Sequence, residues 1–256
     1  MIDIHSHIIP GIDDGSEDIN MTLEMLRNAE ADGTKTIVAT PHFCRGYGEE
    51  EYSKVREKVQ ELNKKCKEIG ISIEIKHGQE VYYSEGMIQD YKDGIIGTIN
   101  DTKYMLFELP MTKLDNDIFD IIYELQVMGI NLILAHPERY KFIIDNPSVI
   151  NKFIDEGILF QMNAGSICGD FGKTVKKTAE VLLKNGVYNF IGSDAHNNRR
   201  RVTGIKKGIV EAEKINQIYK YHFNESAEML LNNEDVIFQG KKINERRSFI
   251  SFFTAK

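Results

Sequence analysis

The chain has 256 residues, a formal charge of −7 and 41% hydrophobic residues, so it can bury a substantial core but offers no broad basic face for a nucleic-acid polymer. No apolar run approaches the roughly 18 residues that a membrane span needs. The three cysteines, Cys44, Cys66 and Cys168, form no CxxC pair, which argues against a disulfide framework and favours a protein of the reducing cytoplasm.

Short runs rich in β-branched residues alternate with amphipathic stretches along the whole chain. The first helix is expected to begin at an N-cap on Ser16 and to end at Gly33. Further helices are predicted over residues 49–69, 115–128, 146–156 and 173–185. Strands are predicted over residues 2–5, 36–40, 71–77, 104–109, 131–135, 158–163 and 188–193.

This alternation of strands and helices predicts a parallel sheet with helices on its outside. Seven or eight such units usually close into a barrel of about 250 residues. We see no linker or break in composition, so the expectation is a single α/β domain with a TIM-like barrel of seven units. The tail after Gly240, KKINERRSFISFFTAK, is expected to be a packed terminal segment or a loose end, with docking of a partner as the alternative.

The residues able to bind a metal fall at the ends of the predicted strands, where barrels of this kind carry their chemistry. Asp3, His5 and His7 alternate along the first strand and would share one face; Asp3 is expected to orient a ligand. Imidazoles and carboxylates brought together in this way predict a centre of divalent cations, because clustered buried carboxylates would otherwise repel one another. Of the seven histidines, only His77 and His222 fall elsewhere, and both are expected to be structural or solvated. The strand-end residues are His5, His7, His42, Glu80, Glu108, His136, Arg139, Asp194 and His196.

Two other kinds of phosphate chemistry are excluded by spacing. A cysteine nucleophile of the C-x5-R type needs an arginine six residues on, but Glu50, Ser72 and Thr174 stand there. The fragment GDFGKT has three residues from its first glycine to its second, where a P-loop needs five.

The motifs HSH, ATPH, GQE, FELP, AHPER and SDAHN resemble those of the polymerase-and-histidinol-phosphatase (PHP) superfamily of metal-dependent phosphoesterases. More closely, MIDIHSHIIPGIDDGS, AHPERY and NAGSICGDFG are similar to the bacterial tyrosine-protein phosphatases of capsular and exopolysaccharide synthesis. The resemblance covers residues 1 to about 240. It implies a PHP domain over 1–240, a tail over 241–256 and a distorted seven-stranded barrel. It also implies a three-metal centre, often of manganese, with iron, zinc or magnesium as alternatives.

The resemblance also implies a role for each candidate residue. Arg139 and one of Arg199, Arg200 and Arg201, with Arg201 favoured by spacing, would bind phosphate. His42 or His196 could assist the leaving group if not fully engaged. Asp13 is the neighbouring alternative to Asp14. The implied metal ligands are His5, His7, Glu80 and Asp194 for the first ion, Glu80, Glu108 and His136 for the second, and Asp14, His42 and His196 for the third.

The implied activity is hydrolysis of phosphotyrosine, with a metal-bridged hydroxide attacking phosphorus. The implied substrate is the tyrosine-rich tail of a bacterial tyrosine kinase, with neither nucleic acid nor direct membrane insertion involved. Three alternatives stay open on the residues alone: a small-metabolite phosphoesterase such as a histidinol-phosphatase, a metal-dependent amidohydrolase, and a non-hydrolytic phosphotyrosine-binding module.

Overall fold

The computed structural model describes residues 1–115 and 117–244. The part of the predicted tail from residue 245 onward lies outside the described residues. Just before it, the Lys241 amide donates to the Asn185 carbonyl over 2.8 Å, and the Ile243 backbone exchanges two hydrogen bonds with the Asn151 side chain. The start of the tail is therefore packed against the domain.

The strands are short and the helices lie between them. The strands are β1 (Ile2–Ser6), β2 (Thr36–Ala39), β3 (His42–Cys44), β4 (Gly48–Glu49), β5 (Glu74–His77), β6 (Glu80–Tyr82), β7 (Tyr104–Glu108), β8 (Asn131–Ala135), β9 (Leu159–Asn163) and β10 (Phe190–Gly192). The helices are α1 (Ile19–Asp32), α2 (Tyr52–Ile69), α3 (Met87–Lys92), α4 (Ile118–Val127), α5 (Lys141–Asp145), α6 (Ile150–Asp155), α7 (Ala164–Cys168), α8 (Lys173–Lys184), α9 (Lys206–Ile215) and α10 (Tyr219–Leu231). Within the described ranges, none of the helices is long and apolar enough to cross a membrane.

The strands form two sheets, of order β1-β2-β5 and β10-β9-β8-β7-β6-β3-β4. Two strand positions are broken: β2 continues as β3 after two residues, and β5 continues as β6 in the same way. All pairings are parallel except that of β3 with β4. The barrel closes where β1 and its continuation meet the segment after β10. There the His7 amide donates to the Ala195 carbonyl and the Asp194 amide donates to the His5 carbonyl, each over 2.8 Å. The predicted single-domain α/β barrel with seven strand positions is therefore confirmed, in distorted form.

Alternation along the strands separates the barrel interior from the layer under the helices. Leu106, Ile133 and Leu159, on three adjacent strands, share one buried cluster. Their neighbours Phe107 and Phe160 belong to a different cluster that includes helix residues. Two residues beyond Leu106 and Leu159 on the same faces stand Glu108 and Gln161. The interior thus changes from apolar to polar at the carboxyl ends of the strands.

Several predicted boundaries were wrong. The N-cap of α1 is Asp18 rather than Ser16, because the Asp18 carboxylate accepts from the amides of Asn20 and Met21, while the Ser16 hydroxyl bonds to Thr22. Gly33 does end α1, at φ 97°. The segment predicted as a helix over 146–156 is a 3-10 turn over 147–149 followed by α6. The hairpin of β3 and β4 occupies the region before α2, which begins three residues later than predicted.

Candidate metal centre

The predicted metal-binding residues converge at the carboxyl end of the barrel. Within the described chain, donor atoms of three groups lie within 4.8 Å of one another. The groups share members, so the three form one continuous cluster. They are His5, His7, Glu80 and Asp194; His7, Asp14, His42 and His196; and His42, Glu80 and Glu108.

The first group is built on the two histidines of β1 and its continuation. The Nε2 atoms of His5 and His7 are 3.1 Å apart, and each lies close to Glu80 Oε2, at 3.2 and 3.3 Å. His5 Nδ1 bonds to Gln161 Oε1 over 2.9 Å, and His7 Nδ1 bonds to Asp13 Oδ2 over 2.7 Å. Because these acceptors hold the proton on Nδ1, both Nε2 lone pairs face the same point, as they do in metal-binding histidines.

The group of His42, Glu80 and Glu108 gathers two buried carboxylates, and His136 lies beside both of them. Glu80 Oε1 is 2.9 Å from His136 Nε2, and Glu108 Oε1 is 3.4 Å from the same nitrogen. Burial and the neighbouring Glu80 charge raise the pKa of Glu108 to about 9, so both carboxylates ionise together only if a cation compensates them. Burial and Arg139 lower the pKa of His136 to about 4, which keeps its imidazole neutral, as a ligand must be.

The group of His7, Asp14, His42 and His196 separates the two neighbouring aspartates. Asp14 Oδ1 lies 3.3 Å from His196 Nε2 and 3.6 Å from His42 Nε2. Asp13 instead accepts from His7 Nδ1 and, over 3.0 Å, from the His42 amide. Asp14 therefore faces the cluster, while Asp13 orients His7 from behind.

Buried atoms without partners show that this cluster suits cations. Glu80 Oε2, Asp194 Oδ1 and His196 Nε2 are buried and make no hydrogen bond, although Asp194 Oδ1 forms an ion pair with Arg201. An unsatisfied buried polar atom costs roughly 1–3 kcal/mol, and more when it is charged. Since all three belong to the donor groups, divalent cations would satisfy them, and the residues present fit a metal centre.

The backbone is strained where two of these side chains emerge. His136 has φ 32° and Asp194 has φ 52°, in the left-handed region that costs of order 1 kcal/mol or more for residues other than glycine. Packing is also tight at Gly192, where an added Cβ would lie 2.5 Å from the Cβ of His5. Only glycine therefore lets β10 lie this close to β1.

Two arginines border the cluster. Arg139 Nη1 is 2.8 Å from Asp194 Oδ2, and Arg201 Nη2 is 2.6 Å from Asp194 Oδ1. Arg199 and Arg200 are exposed, so of the three consecutive arginines it is Arg201 that lies at the cluster. Both bordering arginines line a cavity of about 150 Å³. The cavity is lined by Asp14, His42, Glu80, Glu108, His136, Arg139, Asp194 and Arg201.

Gln161 and Asn163, which the sequence analysis did not single out, connect several candidate ligands through hydrogen bonds. Gln161 Oε1 accepts from His5 Nδ1 and, over 3.3 Å, from the His136 amide. Gln161 Nε2 donates to Asn163, whose amide donates to Asp194 Oδ2 over 2.6 Å. The signal was present, because two amide side chains alternate in the otherwise apolar strand segment ILFQMN.

Asp3 lies beside the cluster, whereas His77 and His222 lie away from it. The Asp3 carboxylate accepts from the backbone amides of His5 and Ser193, so it joins β1 to the segment after β10. A register irregularity in β1 between Asp3 and Ser6 interrupts the simple alternation expected there. His77 lies apart, beside Asp101 and Tyr52, and His222 packs on Tyr219.

Similar proteins carry the name tyrosine-protein phosphatase, and one protein family matches most of this chain. Residues 1–239 match the family described as "Capsular polysaccharide synthesis, CpsB/CapC". The chain is 35% identical to the tyrosine-protein phosphatase YwqE of Bacillus subtilis over 99% of this chain and 100% of the relative. It is 30% identical to the tyrosine-protein phosphatase CpsB of Streptococcus pneumoniae over 77% and 83%.

Solved structures agree. A crystal structure from work on YwqE and CpsB, described as metal-dependent tyrosine phosphatases, superposes with a TM-score of 0.91 at 34% identity, covering 96% of this chain and 100% of that one. Histidinol phosphate phosphatase from Lactococcus lactis superposes with a TM-score of 0.54 at 14% identity, over 84% and 93%, and shares the fold alone. The chain belongs to the CpsB/CapC family of capsular polysaccharide synthesis proteins.

Proposed function

We propose that this protein is a metal-dependent protein-tyrosine phosphatase. The observation that carries the proposal is the convergence of imidazoles, carboxylates and two arginines on one cavity. Cations and guanidinium groups on the same cavity suit a phosphoryl group, because its charged oxygens can be held by both at once. Relatives that align over most of this chain carry the name tyrosine-protein phosphatase.

We further propose the ligand assignment given by the resemblance, with manganese as the working metal. The first group found by geometry is the same as the first implied set. The others differ in detail: His7 joins Asp14, His42 and His196, and His42 approaches Glu80 Oε2 to 3.1 Å. His136 stays beside Glu80 and Glu108 at 2.9 and 3.4 Å, which supports its place in the second set.

When bound, the cations would supply Lewis acidity, activating water and offsetting charge on the phosphoryl group. Arg139 and Arg201 would bind phosphoryl oxygens, for which the planar fork of a guanidinium is suited. The phenol of tyrosine has a reference pKa of about 10, which makes its phenolate a better leaving group than an alkoxide. His42, whose side chain is 14% exposed at the cavity, and the deeper His196 could hold a proton for it only if they are not fully engaged as ligands.

We infer that the substrate is phosphotyrosine in the tail of a bacterial tyrosine kinase, and that the reaction takes place in the cytoplasm. The family description, which names capsular polysaccharide synthesis, supports this setting. The domain would extend over 1–240, with residues 241–256 as its tail.

The test is phosphate release from a phosphotyrosyl peptide by protein stripped with a chelator, then reloaded with manganese. We expect activity only in the reloaded sample, little phosphate release from histidinol phosphate, and no hydrolysis of an amide substrate. Faster turnover of histidinol phosphate would favour the small-metabolite phosphoesterase. Tight peptide binding without release would favour the binding module, whereas full activity of the stripped protein would contradict the metal mechanism.

A further inference from the structure

Phe171 lies directly against the two arginines that border the metal cluster. It follows α7, in the segment that leads into α8. The Cζ atom of Arg139 is 4.8 Å from the centroid of the Phe171 ring, and that of Arg201 is 6.0 Å from it. One aromatic ring therefore contacts two guanidinium groups that come from distant parts of the chain.

Both arginines also pair with Asp194, which is at the same time a candidate metal ligand. Each guanidinium uses one Nη atom to pair with Asp194, and Asp194 belongs to the first donor group. A cation that binds Asp194 weakens the hold of this carboxylate on the arginines, because the same oxygens and charge are shared. The contact with the Phe171 ring does not depend on the carboxylate.

Arg201 also has a free donor. Its Nε atom is buried and has no hydrogen-bond partner in the described structure. A buried charged donor without a partner is costly, and an anion with several oxygens could satisfy it. This second observation indicates that the guanidinium is prepared for a ligand.

A cavity beside the Phe171 ring explains why the two guanidinium groups need the ring to hold them in place. A cavity of about 450 Å³ adjoins this wall and is lined by Phe171, Arg201 and Cys168, among others. It is larger than the 150 Å³ cavity over the metal cluster. Without the ring, a guanidinium could turn into this larger space and away from the substrate.

We propose that Phe171 is a positioning residue that holds the guanidinium groups of Arg139 and Arg201 together so that both bind one phosphate. The inference rests on the proposed function, which supplies the phosphate. The physical basis is the attraction of a cation to the face of an aromatic ring, which exists for both arginines at once.

The test compares Phe171→Leu, which keeps apolar volume without a ring face, with Phe171→Tyr, which keeps the ring. Cys168→Ala is the control, because it alters the same cavity wall without removing an aromatic ring. The readouts are the Kd of inorganic phosphate by calorimetry on manganese-loaded protein, the metal content, the unfolding temperature, and kcat/KM on a phosphotyrosyl peptide.

We expect Phe171→Leu to weaken phosphate binding about tenfold, on the strength of two cation–π contacts, and to lower kcat/KM at least as much. Metal content and unfolding temperature should stay near those of the wild type, and Phe171→Tyr should restore phosphate binding. Unchanged phosphate affinity in Phe171→Leu, equal loss in Cys168→Ala, or no rescue by Phe171→Tyr would each overturn the proposal. If the wild type binds phosphate but leaves phosphotyrosine intact, the proposed function fails while phosphate binding still tests Phe171.

Discussion

Asp194 is the residue on which the contacts of the site converge. Its Oδ2 atom accepts from Asn163 and Arg139, and its Oδ1 atom lies near Arg201 and three histidines. Interactions with His5, His7 and Arg201 hold the pKa of this carboxyl well below its usual range in spite of burial. Asp194 is therefore a carboxylate, as a metal ligand must be, and it connects the proposed metal centre to the proposed phosphate-binding arginines.

Arg139→Lys keeps the charge but loses the planar fork. Because the fork is proposed to bind phosphoryl oxygens, we expect kcat/KM on a phosphotyrosyl peptide to fall about 100-fold or more. The matched control is Arg199→Lys, at an exposed arginine outside the cavity, which should keep near-normal kinetics. Similar losses in both variants would contradict the assignment of Arg139.

Gln161→Leu removes the acceptor that holds the proton of His5 on Nδ1. With either tautomer open to the ring, His5 should become a poorer ligand, and the apparent affinity for manganese should fall by roughly 10- to 100-fold. A titration of activity against free manganese would measure it. Full activity at saturating manganese, with a shifted midpoint, is the expected pattern; an unshifted midpoint would show that Gln161 has only a packing role.

Cys44→Ser should leave hydrolysis largely intact. Burial raises the pKa of the Cys44 thiol, and the charges of Glu108 and Glu49 raise it further, so its thiolate is scarce at neutral pH. Steady-state kinetics on the phosphotyrosyl peptide would check this. Loss of all activity in Cys44→Ser would revive a thiol mechanism.

At the scale of elements, the strand ends determine which residues meet. The sequence placed the candidate ligands at the ends of predicted strands, and the structure brings these residues together. It did not predict that two strands resume after Pro41 and Gly78 as β3 and β6, because each resumed segment is only three residues long. The stretch ISIEIKH also reads as one strand, although only its last four residues form β5. As a result, Glu80 and His42 begin β6 and β3 instead of following the predicted strands.

The local sequence did not determine the N-cap of α1 or which of the three consecutive arginines faces the cluster. Ser16 and Asp18 are both good N-cap types, and only the position of the chain selects Asp18. Three consecutive arginines give no register by themselves. The fold of the loop after β10 exposes Arg199 and Arg200 and turns Arg201 inward.

Gly192→Ala tests the approach of β10 to β1. The added Cβ would lie 2.5 Å from the Cβ of His5, so the strands must separate. We expect a loss of about 1–3 kcal/mol in the free energy of unfolding, together with weaker metal binding because His5 moves. Chemical denaturation and elemental analysis would measure the two effects. Gly70→Ala, at a helix end with open space around its Cβ, is the control for metal binding and should retain the full metal content.

At the scale of the whole molecule, the metal centre is expected to contribute to stability. Candidate ligands come from both the first and the last strand regions of the chain, so cations bind the native state and have no preformed site in the unfolded chain. At a free manganese concentration of about 100 times Kd, the native state should gain roughly 2.7 kcal/mol. Thermal unfolding with manganese and with a chelator would show the shift. His77→Gln, outside the cluster, should show the same shift, and no shift in the wild type would argue against a centre at these residues.

The closure of the barrel has a consequence for synthesis in the cell. His5 lies on β1, whereas Asp194 and His196 follow β10, and the two ends are joined by hydrogen bonds of His7 and Asp194 across the seam. A nascent polypeptide still lacking its last strand has the first two histidines but not the late aspartate and imidazole. We therefore expect that a ribosome-bound fragment ending before Phe190 captures no full complement of ions, and that catalytic competence arises only once translation has passed this point.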